Sequence, residues 1–166
     1  MGGAQSAETT GAVSATASIP FTYRLILTTL EPLFATSGAI LAFRTPGQYL
    51  STMTRHSTAF ADNTTFLYTE LGGAWLYFAF VEAVVLRAFD DLRLWQLLCA
   101  GMLLSDAAYC HSAAQAVGGW GSWATLSEWT VEDWVVLVTT APMVLVRVLI
   151  VLGVGVRHAR LGEKIE

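Results

Sequence analysis

Charge is what this chain has least of. Only 13% of its residues are Asp, Glu, Lys or Arg, and nine Lys plus Arg stand against thirteen Asp plus Glu, for a net charge of −4. With no basic stripe to neutralise phosphates, the composition argues against a nucleic-acid partner. Cysteine is nearly as scarce. Cys99 and Cys110 fall on one expected helix about 16 Å apart by helical rise, too far for a disulfide. There is no CxxC pair and no Cys/His ligand spacing, so neither a zinc site nor a bound cofactor is expected. No separate basic region precedes the first apolar run, and a cleavable leader is not expected.

Apolar residues fill the space. They make up 54% of the 166 residues, with a mean hydropathy of +0.53, outside the usual range of soluble domains. Four long apolar segments take more than half of the chain and have almost no polar faces. The expectation is an all-α membrane protein, an antiparallel four-transmembrane-helix bundle with spans of about 22–43, 66–86, 92–116 and 131–156. Residues 1–18, small and nearly uncharged, read as a disordered tail. Gly2 with Ser6 fits the loose myristoylation pattern there. Residues 158–166 form a short tail of mixed charge. Lys and Arg beside the membrane are six on the face shared by the termini and the 87–93 turn, against Arg44 and Arg55 opposite. That bias places both termini in the cytosol, with the endoplasmic reticulum as the expected membrane.

The first span carries Glu31-Pro32 at its middle, where proline removes a backbone donor. At about 100° per residue, Glu31, Ala35, Gly38 and Ala42 share a narrow face of small side chains, suited to a close helix neighbour. The 44–64 loop ends on the sequon Asn63-Thr64-Thr65, which abuts the second span too closely to suit glycosylation. Trp120, Trp123, Trp129 and Trp134 cluster at one membrane surface. They read as an aromatic belt, or alternatively as a lid over a pocket.

The intramembrane charges carry the chemistry, because each needs a partner or a wet cavity. Measured from the cytosolic face, Glu31 lies at roughly 13 Å, Arg147 at roughly 14 Å and Glu82 at roughly 7 Å. Arg147 is therefore expected to pair with Glu31, with Glu82 within reach of its long side chain. A second group lies toward the lumen, with Asp106 at roughly 21 Å and Glu70 at roughly 25 Å. Helical phase turns His111 about 140° away from Asp106, so that histidine is a poor direct partner. Asp106 is expected beside Glu70, hydrogen-bonded to Tyr109 or Tyr77. Two carboxyls in a dry site could hold a neutral acid able to donate a proton to an alkene or epoxide. The plainer alternative is that Asp106 caps a buried hydroxyl and the Arg147 pair only fixes helix packing.

Several short runs together resemble one family. Arg24 and Glu31-Pro32, the run 82–87, Asp91 to Trp95, Leu104-Ser105-Asp106, the Trp129/Trp134 region, and Arg147 followed by Gly153-Val154-Gly155 are similar to a family of small four-span membrane proteins of filamentous fungi. The resemblance covers about 19–157. It implies an association with secondary-metabolite gene clusters. The family pattern places His three residues after the aspartate and Tyr two further on. Here those positions hold Tyr109 and His111, so no histidine role transfers. Larger fungal membrane-bound terpene cyclases also use intramembrane carboxylates on lipophilic epoxides, a likeness of principle. The resulting expectation is an acid–base cyclase or isomerase acting on a lipophilic terpenoid or polyketide intermediate. Asp106, Glu70 and Glu82 would be the catalytic carboxyls, supported by Tyr77, Tyr109, Glu31 and Arg147. The alternative is a non-catalytic scaffold or small transport component, with pathway enzymes or a second copy of the chain as partners alongside the bilayer.

Overall fold

The computed structural model describes residues 13–157, and Gly2 and the 158–166 tail lie outside them. Among the described residues the chain is helical and forms no β-strand. We number the helices α1 (Ala15–Ser18), α2 (Phe21–Arg44), α3 (Pro46–Met53), α4 (Asp62–Ala88), α5 (Leu92–Ala116), α6 (Trp120–Ala124) and α7 (Val131–Val151). Three of them, α2, α4 and α7, are long and apolar enough to cross a membrane. Their outward faces are apolar while ionisable side chains are buried, with Phe66 and Val138 each 66% exposed against 0% for Glu82 and Arg147. That is the inverse of a soluble bundle and fits a lipid surround. The 25 residues of α5 would also span a bilayer by length, but Arg93, Gln96, Asp106 and His111 make it less apolar than the other three.

Local chemistry sets the ends of these helices. The Asp91 side chain accepts from the Leu94 amide and starts α5. Thr130 and Asp133 start α7 as a reciprocal capping box. At the other end of α7 the Val154 amide reaches back to the Leu149 carbonyl, a closure that needs the left-handed backbone of Gly153 (φ 71°).

Two helices are wound wider inside the bundle. Ile26–Leu30 in α2 and Val81–Val85 in α4 are π-turns, closed by Glu31 N–H to the Ile26 carbonyl and Leu86 N–H to the Val81 carbonyl. The two wide turns pack on each other. Pro32 explains part of the first. It cannot donate to the Thr28 carbonyl four residues back, and Arg87 of α4 supplies the bond instead, its Nη2 donating at 2.7 Å. A second donation at 2.9 Å goes to the Thr29 hydroxyl. The proline defect thus becomes a link between α2 and α4.

Glycines bring α2 and α4 together reciprocally. The Trp75 indole of α4 lies over Gly38 of α2, and the Phe43 ring of α2 lies over Gly72 of α4. The small-residue face read from the sequence is used, but it receives an aromatic ring rather than a backbone. Helix α5 packs chiefly on α7. Gln96 donates to the Ile150 carbonyl at one end of this pair, and the Asp106–Arg147 ion pair lies further along α5, so the two run in opposite directions.

The expected featureless tail is shorter than the sequence suggested. Residues 13–18 are structured, with Ser14, Ala15 and Ser18 buried and α1 packed on α5. Polar tethers offset the lack of bulky side chains. The Ser14 hydroxyl donates to Asp90 at 2.7 Å, the Thr16 amide donates to the other Asp90 oxygen at 2.6 Å, and the Leu92 amide donates to the Val13 carbonyl. Slight burial pushes the Asp90 carboxyl up, but the Thr16 backbone and Ser14 hydroxyl bonds outweigh it and hold the group below its ordinary range. A depressed carboxyl stabilises the folded state fully above its unfolded pKa of about 3.9 and loses that contribution as pH falls through the lower folded value. A pH titration of the Thr16 amide resonance should therefore show a midpoint below about 3.9. Asp90→Asn should abolish that inflection.

Candidate functional site

One arginine gathers three carboxyls from three other helices. Arg147 of α7 donates through Nη1 to Asp106 Oδ2 of α5 at 2.6 Å. Its Nη2 donates to Glu31 Oε1 of α2 at 2.5 Å and to Glu82 Oε1 of α4 at 2.6 Å. The Phe78 ring lies 5.7 Å from the guanidinium carbon, adding a cation–π contact. A planar fork with separate nitrogens is what allows one side chain to serve three acceptors. The wide π-turns bear on the placing of the two glutamates, since Glu31 directly follows the first and Glu82 lies within the second. Glu31 Oε2, Glu82 Oε2 and Arg147 Nε have no hydrogen-bond partner among the described residues.

The cluster borders a cavity of about 440 Å³. Glu31 and Asp106 reach its wall, together with Tyr49, Trp75, Phe78 and Tyr109. Trp75 stands edge-on to Tyr49 and Tyr109, at ring separations of 5.8 and 6.2 Å, which fixes the rings as a group. The volume falls in the range that holds a small organic ligand, and a largely apolar wall with a few convergent polar groups is the usual character of such sites.

The pairing of Arg147 with Glu31 and Glu82 agrees with the depth argument. The separate lumenal group does not form. Asp106 joins Arg147 instead of Glu70, because the long arginine side chain bridges the roughly 7 Å that separates the two Cα levels. Glu70 is exposed on α4 and lines no cavity described here, and Tyr77 is exposed and turned away as well. Tyr109 does lie on the cavity wall, but its hydroxyl donates to Met53 Sδ at 3.9 Å rather than to Asp106. His111 lies beside the Trp120 ring and makes no pair with Asp106, in keeping with its helical phase.

Tyr49 and Met53 were not legible as site residues. Both come from α3, inside a stretch whose Pro46-Gly47 reads as a turn, although proline is also at home in the first turn of a helix. The four tryptophans do not all face the same way. Trp120 and Trp134 are exposed as a belt would be, while Trp123 and Trp129 turn inward and line a second cavity.

A family description matches residues 16–157, and it is that of a domain of unknown function, DUF7704. Neither a curated protein nor a solved structure matches the chain. The match spans both glutamates, Asp106 and Arg147, so the charged cluster and its cavity lie within the matched residues, and the chain belongs to the DUF7704 family.

Proposed function

We propose that this protein is a four-span antiparallel membrane protein that binds a lipophilic terpenoid or polyketide intermediate in the first cavity and transfers protons on it. The observation that carries this reading is the meeting of Glu31 and Asp106 on the wall of one apolar cavity, with both held by Arg147. One carboxyl, in its acid form, delivers a proton to an alkene carbon or epoxide oxygen. The other, as carboxylate, removes a proton from a neighbouring carbon, and the site returns to its starting charge. Glu82 is fully buried and does not reach the cavity, so its role is to balance Arg147. Glu70 has no part in this reading. The resemblance to small fungal membrane proteins supports a place in specialised metabolism, and the excess of Lys and Arg on one side supports cytosolic termini in the endoplasmic reticulum.

A second reading, a non-catalytic scaffold or transport component, is favoured by one feature. The ion cluster ties α2, α4, α5 and α7 together, as a purely structural lock would. The two readings part on conservative neutral variants. If the site is catalytic, Asp106→Asn and Glu31→Gln should each cut product formation by about a hundredfold or more while the protein still inserts. Metabolite profiling of the producing strain, with a quantitative membrane blot, measures both. Undiminished product in both variants would leave only the scaffold or transport reading.

A further inference from the structure

A second cavity, of about 400 Å³, lies beside the first. Thr52, Met53, Tyr109, Val136 and Thr140 face both volumes and so form the partition between them. The polar contact recorded across this partition is the Tyr109 hydroxyl on Met53 Sδ at 3.9 Å. A thioether is a weak acceptor, and an unbranched methionine side chain changes shape at little cost. Met53 ends α3, two residues before Arg55, whose backbone is left-handed (φ 48°) and whose Nε donates to Asp133 at 2.8 Å. Tyr49 and Arg55 hold the short helix itself, against Trp75 and Asp133, so the yielding element of the partition is the Met53 side chain.

The two cavities differ in polarity. The first ends on Glu31 and Asp106. Among the described residues the second is lined by a single carboxyl, Asp133, which Arg55 and the Thr130 amide hold. The remainder is apolar or weakly polar wall, including Cys110, Ala113, Trp123 and Val144. A polar end, an apolar chamber, a yielding partition and a second apolar chamber follow one another. That sequence matches a long, flexible lipophile with one reactive end.

We propose that the second cavity is the tail-binding half of the same site, so that the ligand is an extended chain of the linear polyprenyl type rather than a compact ring system. The inference rests on the reading of the first cavity as a lipophile site. In the bound state Met53 moves aside, the reactive end lies at Glu31 and Asp106, and the tail lies against Ala113, Trp123 and Trp129.

The test is a chain-length series of geraniol, farnesol and geranylgeraniol, bound to the full-length protein in lipid nanodiscs. Ala113→Phe, which fills the second chamber alone, should weaken geranylgeraniol by about tenfold or more and leave geraniol within about twofold. Equal weakening of all three alcohols, or no weakening of any, overturns the tail site. A wild-type measurement guards against misfolding of the variant. Cys110 lines only the second chamber and Cys99 is fully buried, so alkylation by N-ethylmaleimide reports on that chamber. Geranylgeraniol should slow the reaction by about tenfold and geraniol should not; equal rates with both overturn the proposal. Wild-type protein that binds none of the three removes the lipophile reading and this inference with it. Binding without discrimination by length removes this inference alone.

Discussion

Arg147→Met should lower the unfolding free energy by about 3–5 kcal/mol, the usual cost of breaking a buried ion pair by removing one partner. The expectation follows from the arrangement of charge. Arg147 is the cation bonded to Glu31, Glu82 and Asp106, and two of these four side chains are wholly buried. Methionine keeps most of the packing volume but leaves three carboxyls with no positive neighbour. The loss is a large share of the stability of an ordinary domain, about 5–15 kcal/mol. Denaturant titration of the purified protein in mild detergent measures it. Packing and charge can be separated by compensation. Adding Glu31→Gln, Glu82→Gln and Asp106→Asn to Arg147→Met replaces the whole ionic cluster by neutral groups and should recover most of the loss. If only the arginine stem mattered, the added changes would recover nothing. Arg147→Lys should rescue poorly, because a single ammonium cannot reproduce donors on two separate nitrogens.

This cluster also marks how far the sequence could be read. Membrane character, four long helices and the meeting of Arg147 with Glu31 and Glu82 all follow from composition and helical rise. The exclusion of His111 follows from helical phase. Depth counted between Cα positions puts Asp106 in a separate group, whereas a guanidinium lies several ångströms beyond its own Cα. The π-turns at Ile26–Leu30 and Val81–Val85 have no signature in hydrophobic periodicity. In the first, the Thr28 carbonyl that Pro32 cannot serve takes its donor from Arg87 of the opposite helix. The order of the 13–18 segment has no mark in its composition for a related reason. Its order comes from hydrogen bonds to Asp90 and Leu92, residues more than seventy positions away, and not from apolar surface of its own.

Gly38→Ala should be damaging well beyond what a single methyl group suggests. A Cβ at Gly38 would overlap Cζ3 and Cε3 of Trp75, so the indole cannot stay where it is. Tyr49 and Tyr109 stand edge-on against Trp75, and the first cavity lies on the same side. The displaced ring must therefore force α2 away from α4 or swing into the cavity. The first outcome costs about 1–3 kcal/mol, as overpacking usually does. The second fills the volume that a ligand would occupy, and binding of farnesol should fall by about tenfold or more. Gly73→Ala, on α4 two residues before Trp75, is the control. Its Cβ meets nothing within 4 Å, so replacing a mid-helix glycine there should stabilise the protein by about 0.5–1 kcal/mol. Opposite signs from two identical substitutions would show that the Trp75 seat, rather than helix propensity, governs position 38. If both variants are stabilised and both still bind farnesol, Trp75 does not lie over Gly38 in the membrane, and the shape assigned to the cavity falls with it. Combining Gly38→Ala with Trp75→Leu adds a further constraint. It removes the clash and should restore stability, but it takes away one of the aromatic walls and should not restore binding in full.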